Sequence, residues 1–337
     1  MNCIRRANAW VLHYSALHFA KEYVATVETT KALVERDLRD SGLSIDDLKH
    51  NAVLLDFRGE GQCDKLIINM IAYLRSIPVK NVAVIFSTEV DTSKLNYPAL
   101  SLVDSLADHC QWFTRLKQQS HLWETKCDFL CLMRRPSTAR AKLASRLLSE
   151  FKNLRISFGA MCQPMELVDY RSWFPDHTLP LLLDGMIPRN KDFLEHDAIN
   201  PLFRTCAVNI IAESSAQADP MSWNSILVTE KTFKAFGMLQ LPIWWAVPGV
   251  VNCTRNMGFD LFDDIIDHSY DNEQDEDLRL EVVIKELKKL EKLNLAQLRT
   301  DLKPRLIRNW ERLDDIVQSQ SDQFTSILKV LNLDTPI

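Results

Sequence analysis

The sequence predicts an α/β protein with parallel sheets, divided into two domains. Short runs rich in β-branched and aromatic residues alternate with longer segments of helical periodicity, the pattern of parallel strands joined by crossover helices. At 337 residues the chain exceeds what one hydrophobic core usually serves and suits two. Hydrophobic residues at 46% and charged residues at 25% are the proportions of a packed globular chain, so long disorder is not expected.

Charge and cysteine usage exclude some classes. A net charge of −5 argues against a protein that covers nucleic acid through bulk positive charge, although a local basic cleft stays open. The eight cysteines include no C-x-x-C pair, and Cys127 with Cys131 lacks further Cys or His at zinc-site spacing. They are expected to be reduced thiols of a cytoplasmic protein, in the host cytoplasm if the source is viral. Arg5 and Arg6 lead to Asn8 and His13 rather than to an apolar run, so no signal peptide is expected at the start. The most apolar run, Leu239 to Val251, is too short to span a bilayer and contains Pro242, Pro248 and Gly249, so no membrane span is expected.

In the first half, residues 9–14 and 53–57 read as buried strands, with an amphipathic helix over 29–40 between them. A helix over 63–76 places Leu66, Ile67, Met70, Ile71 and Leu74 at helical spacing, and residues 82–87 form a third strand. Chemistry in parallel sheets gathers beyond the carboxyl ends of the strands. Asp56, Glu60, Glu89 and Asp91 fall there, and any of them could take a proton from an acceptor hydroxyl. The ordinary alternative for each is a solvated loop carboxylate or a helix cap. Residues 100–117 read as an irregular helix, with Trp112 and Trp123 as packing anchors.

The second half carries the stronger signals. Phe129–Met133 reads as a strand, residues 134–137 as a turn, and Ser137 or Thr138 as the cap of a helix reaching about Phe151. Arg134, Arg135, Arg140, Lys142 and Arg146 lie close in sequence there. Such a patch can stabilise the charge that grows on a departing diphosphate, although charge runs are more often solvated faces. Residues 207–211 form a buried strand that leads to Glu213. After Val228, Thr229 caps a compact helix, and Glu230 and Lys231 stand in its first turn. Unpaired N–H groups and the positive end of the helix dipole make that mouth a seat for phosphate, with Glu230 placed to accept from ribose hydroxyls. A strand over 241–247 follows.

Past Gly249 comes an acidic stretch with Asp263, Asp264, Asp267, Asp271, Asp275 and Asp277. It lacks the Gly and Glu offsets of a calcium loop, and no metal ligand is expected in it. Residues 278–295 are amphipathic, with Leu280, Val283, Ile284, Leu287 and Leu290 on one face. Residues 303–316 form a last helix, with Trp310 expected to be buried.

The order T-E-K-x-F from Thr229, then a helix, P-I-W-W from Pro242 and Pro248-Gly249 resembles the donor-binding segment of the alpha-1,3-fucosyltransferase family. It resembles still more a group of fucosyltransferase-like glycosyltransferases from bacteria and their viruses. Arg140 matches the arginine that opens a helix of the family's donor domain. Arg134-Arg135-Pro136 matches a turn of the viral and bacterial relatives, and Glu213 the acidic residue after the next strand. Gly258-Phe259 followed by Asp267-His268-Ser269-Tyr270-Asp271 is similar to their tail. Met133, Ser214 and Leu227 depart from the family's Asn, Asn and Tyr. The resemblance is specific over residues 128–270 and the tail helices.

That resemblance implies a GT-B arrangement, two Rossmann-like doubly wound domains facing across a cleft. Residues 1–125 would form the acceptor side, residues 126–300 the nucleotide-sugar domain, and residues 301–337 helices returning to the first domain. The implied activity is transfer of a sugar from a GDP- or UDP-linked donor to an acceptor hydroxyl, with inversion and without a metal or other cofactor. Glu89, then Asp56, are the candidate bases. Arg134, Arg135, Arg140, Glu213, Thr229, Glu230 and Lys231 are the donor-binding candidates. A glycan is the first acceptor to consider, and the viral relatives suggest a hydroxylated base in DNA as another. The three departures leave a catalytically inactive GT-B binding module as a further reading.

Overall fold

A computed structural model describes residues 2–6, 9–13, 27–49, 51–57, 64–79, 81–86, 99–101, 124–160, 162, 164–183, 200–213, 226 and 228–330. The fold is mixed α/β with largely parallel sheets. Two compact units divide the chain: Met1–Asp108, Ala218–Leu227 and Asp315–Ile337 form the first, His109–Gln217 and Val228–Asp314 the second.

The first unit holds a five-stranded sheet in sequential order, with β1 (Asn2–Arg6), β2 (Ala9–His13), β3 (Ala52–Phe57), β4 (Asn81–Phe86) and β5 (Ala99–Ser101). Only the β1–β2 pair is antiparallel. Helices α1 (Val27–Asp40), α2 (Ile45–Leu48) and α3 (Asp64–Arg75) connect the strands. Register explains the core. Leu12, Leu55 and Val84 are aligned across β2, β3 and β4, so they share one face. There they join Leu33, Val34 and Leu38 of α1 and Met70, Ile71 and Leu74 of α3, whose spacing makes one apolar stripe on each helix.

Two elements of this unit differ from the expected pattern. β1 has only Cys3 and Ile4 as apolar residues, so the pattern does not mark it; backbone pairing with β2 makes it a strand. Ala99–Ser101 pairs with β4, where the sequence suggests a helix from residue 100. Three residues are too few to show alternation, and the free edge of β4 decides their conformation. The rest of that expected helix, with Trp112 and Trp123, lies outside the described residues, as do Glu60, Glu89 and Asp91.

The second unit contains β6 (Cys127–Met133), α4 (Thr138–Glu150), β7 (Leu154–Phe158), α5 (Asn200–Thr205), β8 (Cys206–Ala212), α6 (Glu230–Gly237), β9 (Leu241–Trp245), α7 (Val250–Asn256), α8 (Glu276–Glu291) and α9 (Leu295–Asp301). The final helix, α10 (Lys303–Val330), begins among residues of this unit and ends among those of the first. Trp310 on it is half-buried rather than buried. All four strands are parallel, in the order β7-β6-β8-β9. Every residue of β8 and β9 is buried, as expected of parallel strands covered on both faces. β9 ends at Trp245, two residues before the sequence predicts.

The acidic stretch after α7 proves to be structural. β9 is an edge strand, and its Trp244 N–H is met by the Tyr270 hydroxyl at 3.2 Å. His268 lies behind that hydroxyl, with Nδ1 2.7 Å from it and Nε2 2.9 Å from the Leu261 carbonyl. A carbonyl only accepts, so Nε2 carries the proton and Nδ1 accepts from Tyr270. Among the described residues no helix is long and apolar enough to cross a membrane.

Candidate functional site

The strand order of the second unit reverses at β6. The chain runs from β6 through α4 to β7 on one side, then returns to place β8 on the other. In open parallel sheets the carboxyl ends flanking such a reversal leave a crevice where ligands bind. Here those ends are Met133 and Ala212, and most of the donor-binding candidates follow directly from them.

Arg140 spans the reversal. Ser137 caps α4 by accepting the Arg140 N–H at 3.2 Å, which fixes the first turn of the helix. The guanidinium is buried and donates from Nη1 to the Arg135 carbonyl and from Nη2 to the carbonyls of Ala212 and Glu213, all at 2.9 Å. It therefore ties the turn after β6 to the end of β8. These carbonyls lie at or just beyond the strand ends, and a charged donor satisfies them strongly.

Glu213 continues the chain of contacts. It is 2% exposed. Oε1 accepts from the Thr229 N–H at 3.1 Å and the Thr232 hydroxyl at 2.9 Å, and Oε2 from the Thr229 hydroxyl. Thr229 Oγ1 in turn caps α6, accepting the Lys231 N–H at 3.4 Å and the Lys231 ammonium at 3.0 Å. The Trp244 indole N–H donates to Thr232 Oγ1 at 2.9 Å and links the network to β9. The sequence does not single out Thr232, and Trp244 enters there only within P-I-W-W. The signal for Thr232 is its i, i+3 spacing from Thr229, which sets both hydroxyls on one side of the helix start.

Lys231 is the residue of this group that reaches solvent. Its side chain is 23% exposed, with Nζ 3.0 Å from Glu230 Oε1 and 3.8 Å from Glu213 Oε2. The Glu230 side chain is 12% exposed beside it. The ammonium thus has partial access to water at the positive end of α6, with the carboxylates of Glu230 and Glu213 as neighbours.

The basic run divides in two. Arg134, half-buried, and Arg135, exposed, stay on the turn after β6. Lys142 pairs with Glu276 at 3.2 Å and Asp277 at 2.6 Å, and Arg146 pairs with Glu150 and Glu281. The pairs with Glu276, Asp277 and Glu281 fasten α4 to α8, the Glu150 pair lies within α4, and the pKa of both cations is raised, chiefly through hydrogen bonds to Asp277 and Glu281. Asp56 sits one residue from the end of β3, in register with His13 and Ile85; its side chain lies outside those described.

No family model matches the chain, and neither a curated protein nor a solved structure does. A pocket of about 470 Å³ in this unit is lined by Asn252, Arg255, Asp263, Asp267, Ser269 and Lys289 among others. Its charges face one another: Arg255 pairs with Asp263 at 2.7 Å, and Lys289 donates to the Ile265 carbonyl and to Glu286. Among the described residues no group of three or more His, Cys, Asp or Glu is placed to hold a metal ion.

Proposed function

We propose that the protein is a glycosyltransferase with two Rossmann-like domains in the GT-B arrangement. It transfers a sugar from a GDP- or UDP-linked donor to an acceptor hydroxyl, with inversion and without a metal. The observation that carries this reading is the partly exposed Lys231 ammonium at the mouth of α6, beside the strand reversal. It stands where the resemblance assigns the donor diphosphate.

In this mechanism the acceptor oxygen attacks the anomeric carbon while the bond from that carbon to the phosphate oxygen breaks. A carboxylate, Glu89 or Asp56, takes the acceptor proton. Lys231, with Arg134 and Arg135 on the neighbouring turn, stabilises the charge that grows on the departing diphosphate. Glu230 accepts from the ribose. Arg140 and Glu213 position this site through their contacts with backbone and with Thr229, and do not need to touch the donor themselves. Removing Lys231 should cost on the order of 10²-fold or more in rate, as loss of one charge contact in the transition state does.

The engagement of Arg140 and Glu213 within the scaffold supports one other reading, a GT-B module that binds and does not turn over. Thermal melting against GDP, UDP and their sugar conjugates tests the donor site. A ligand at about a hundred times its Kd stabilises the fold by roughly 2.7 kcal/mol, a clear shift in Tm. One nucleotide family should raise Tm in the native protein and not in Lys231→Ala. No shift with any of them, or the same shift in the variant, would overturn the assignment; a shift without sugar transfer or donor hydrolysis would favour the binding module. The acceptor is tested separately. Duplex DNA carrying hydroxylated bases should bind, and weaken steeply with salt, only if DNA rather than a glycan is modified.

A further inference from the structure

Cys127 and Cys206 open β6 and β8, at the edge of the second sheet opposite to the site above. The two are register partners on adjacent parallel strands, so their side chains share a face. Neighbouring strands lie about 4.8 Å apart, within the roughly 4.4–6.8 Å between Cα atoms that a disulfide spans. Cys127 is 3% exposed and Cys206 fully buried, and both are free thiols.

The surroundings favour reaction between them. The Cys127 thiol donates to the carbonyls of Asn153 at 3.2 Å and Phe129 at 3.4 Å, which fix its sulfur at the strand start, and the Arg155 and Arg299 guanidinium groups add positive potential. Arg299 also fixes both strand starts. It donates to Thr125 Oγ1 at 3.4 Å and to the Arg204 carbonyl at 2.6 Å, each two residues ahead of one cysteine. The neighbouring Cys206 thiol lowers the pKa of Cys127, while Cys127 and burial push Cys206 up. Cys127 is the more accessible of the two sulfurs and the one on which the thiolate is favoured, so it is placed as the attacking thiol and its register partner as the resolving one. Cys131 on the same strand is pushed up to about 12 by burial and should stay inert.

We propose that Cys127 and Cys206 are an oxidation site, at which hydrogen peroxide converts the two thiols into a disulfide joining β6 to β8. The Cys127 thiolate attacks one peroxide oxygen, the O–O bond breaks, and the other oxygen leaves as hydroxide and takes up a proton to become water. Cys127 is then a sulfenic acid. The Cys206 sulfur attacks it, the S–O bond breaks, and that oxygen leaves as water with the Cys206 proton. Two thiols are oxidised and one peroxide is reduced to water. Peroxide is small and uncharged, so burial that excludes bulky reagents hinders it less. The site does not depend on the sugar-transfer reading.

The native protein would be treated with hydrogen peroxide, unfolded, alkylated, digested and weighed by mass spectrometry without reduction. The expected product joins the Cys127 and Cys206 peptides by one disulfide, lighter by two hydrogens and reversed by dithiothreitol, with Cys131 and Cys253 still alkylated. Cys206→Ser should lose the product and accumulate Cys127 sulfenic acid, trapped by dimedone. If that variant does not fold, the native protein decides alone. Two free thiols after treatment, Cys127 joined to another cysteine, or the same yield from chain oxidised in denaturant would each overturn the proposal.

Discussion

Asp271 caps a helix start that lacks a capping side chain of its own. Gly249 precedes α7 with φ of 94°, a conformation in which a side chain would be strained. The Asp271 carboxylate takes over, accepting the N–H groups of Gly249, Val251 and Asn252, each at 3.0 Å. Asp271→Ala should therefore lower stability by about 1–3 kcal/mol in urea unfolding, with the slope unchanged. An unaltered midpoint would show that water replaces the carboxylate at no cost. Arg299 plays a similar part elsewhere. Leu239, two residues past the end of α6, has a φ of 54°, unusual for leucine, and Arg299 donates to its carbonyl at 2.9 Å and to that of Met238 at 3.2 Å. Burial pushes this guanidinium down to about 10, which still leaves it charged at neutral pH.

The segment from His268 to Asp271 acts as one element, tied to β9 through Tyr270 and to α7 through Asp271. Its Tyr270 hydroxyl accepts from Trp244 and donates to His268, so the sequence of donors holds only while Nδ1 is unprotonated. Burial lowers the His268 pKa below its ordinary 6.5. The unfolded chain therefore binds this proton more readily than the folded one. The stabilisation is fully present above pH 6.5 and is lost as pH falls below it. Tm should decline from pH 7.5 to about 5.5 in the native protein, and less in His268→Gln, which cannot titrate. Equal slopes in the two proteins would place the acid sensitivity elsewhere. The ion pairs between α4 and α8 belong to the same scale. They hold two helices together, which is why Lys142 and Arg146 leave the basic run that the sequence suggests.

Across the second unit, the two ends of the sheet differ in chemistry. Carboxyl ends carry Arg140, Glu213, Thr229 and Lys231; amino ends carry the thiol pair. A nucleotide that binds at the crevice should slow amide exchange at residues 133–140, 212–213 and 229–232 and leave residues 126–127 and 205–206 unchanged. Protection spread evenly over both ends would argue against binding at the strand reversal. Much of this architecture is legible in the sequence alone. Apolar runs fix β3, β4, β6, β8 and β9, helical spacing fixes α1, α3 and α8, and Ser137 and Thr229 mark the starts of α4 and α6 because capping is a local interaction. What residue type does not reveal is which partner a polar group meets. Arg140 and Glu213 look like ligand-binding residues in the sequence, and only strand order brings one to the carbonyls of β8 and the other to Thr229 and Thr232. β1 and β5 follow the same rule, since a short strand is made by the edge that pairs with it. Periodicity and caps act over a few residues and are written in the chain; contacts between residues seventy or more positions apart, such as Arg140 with Ala212, exist only once the sheet has formed.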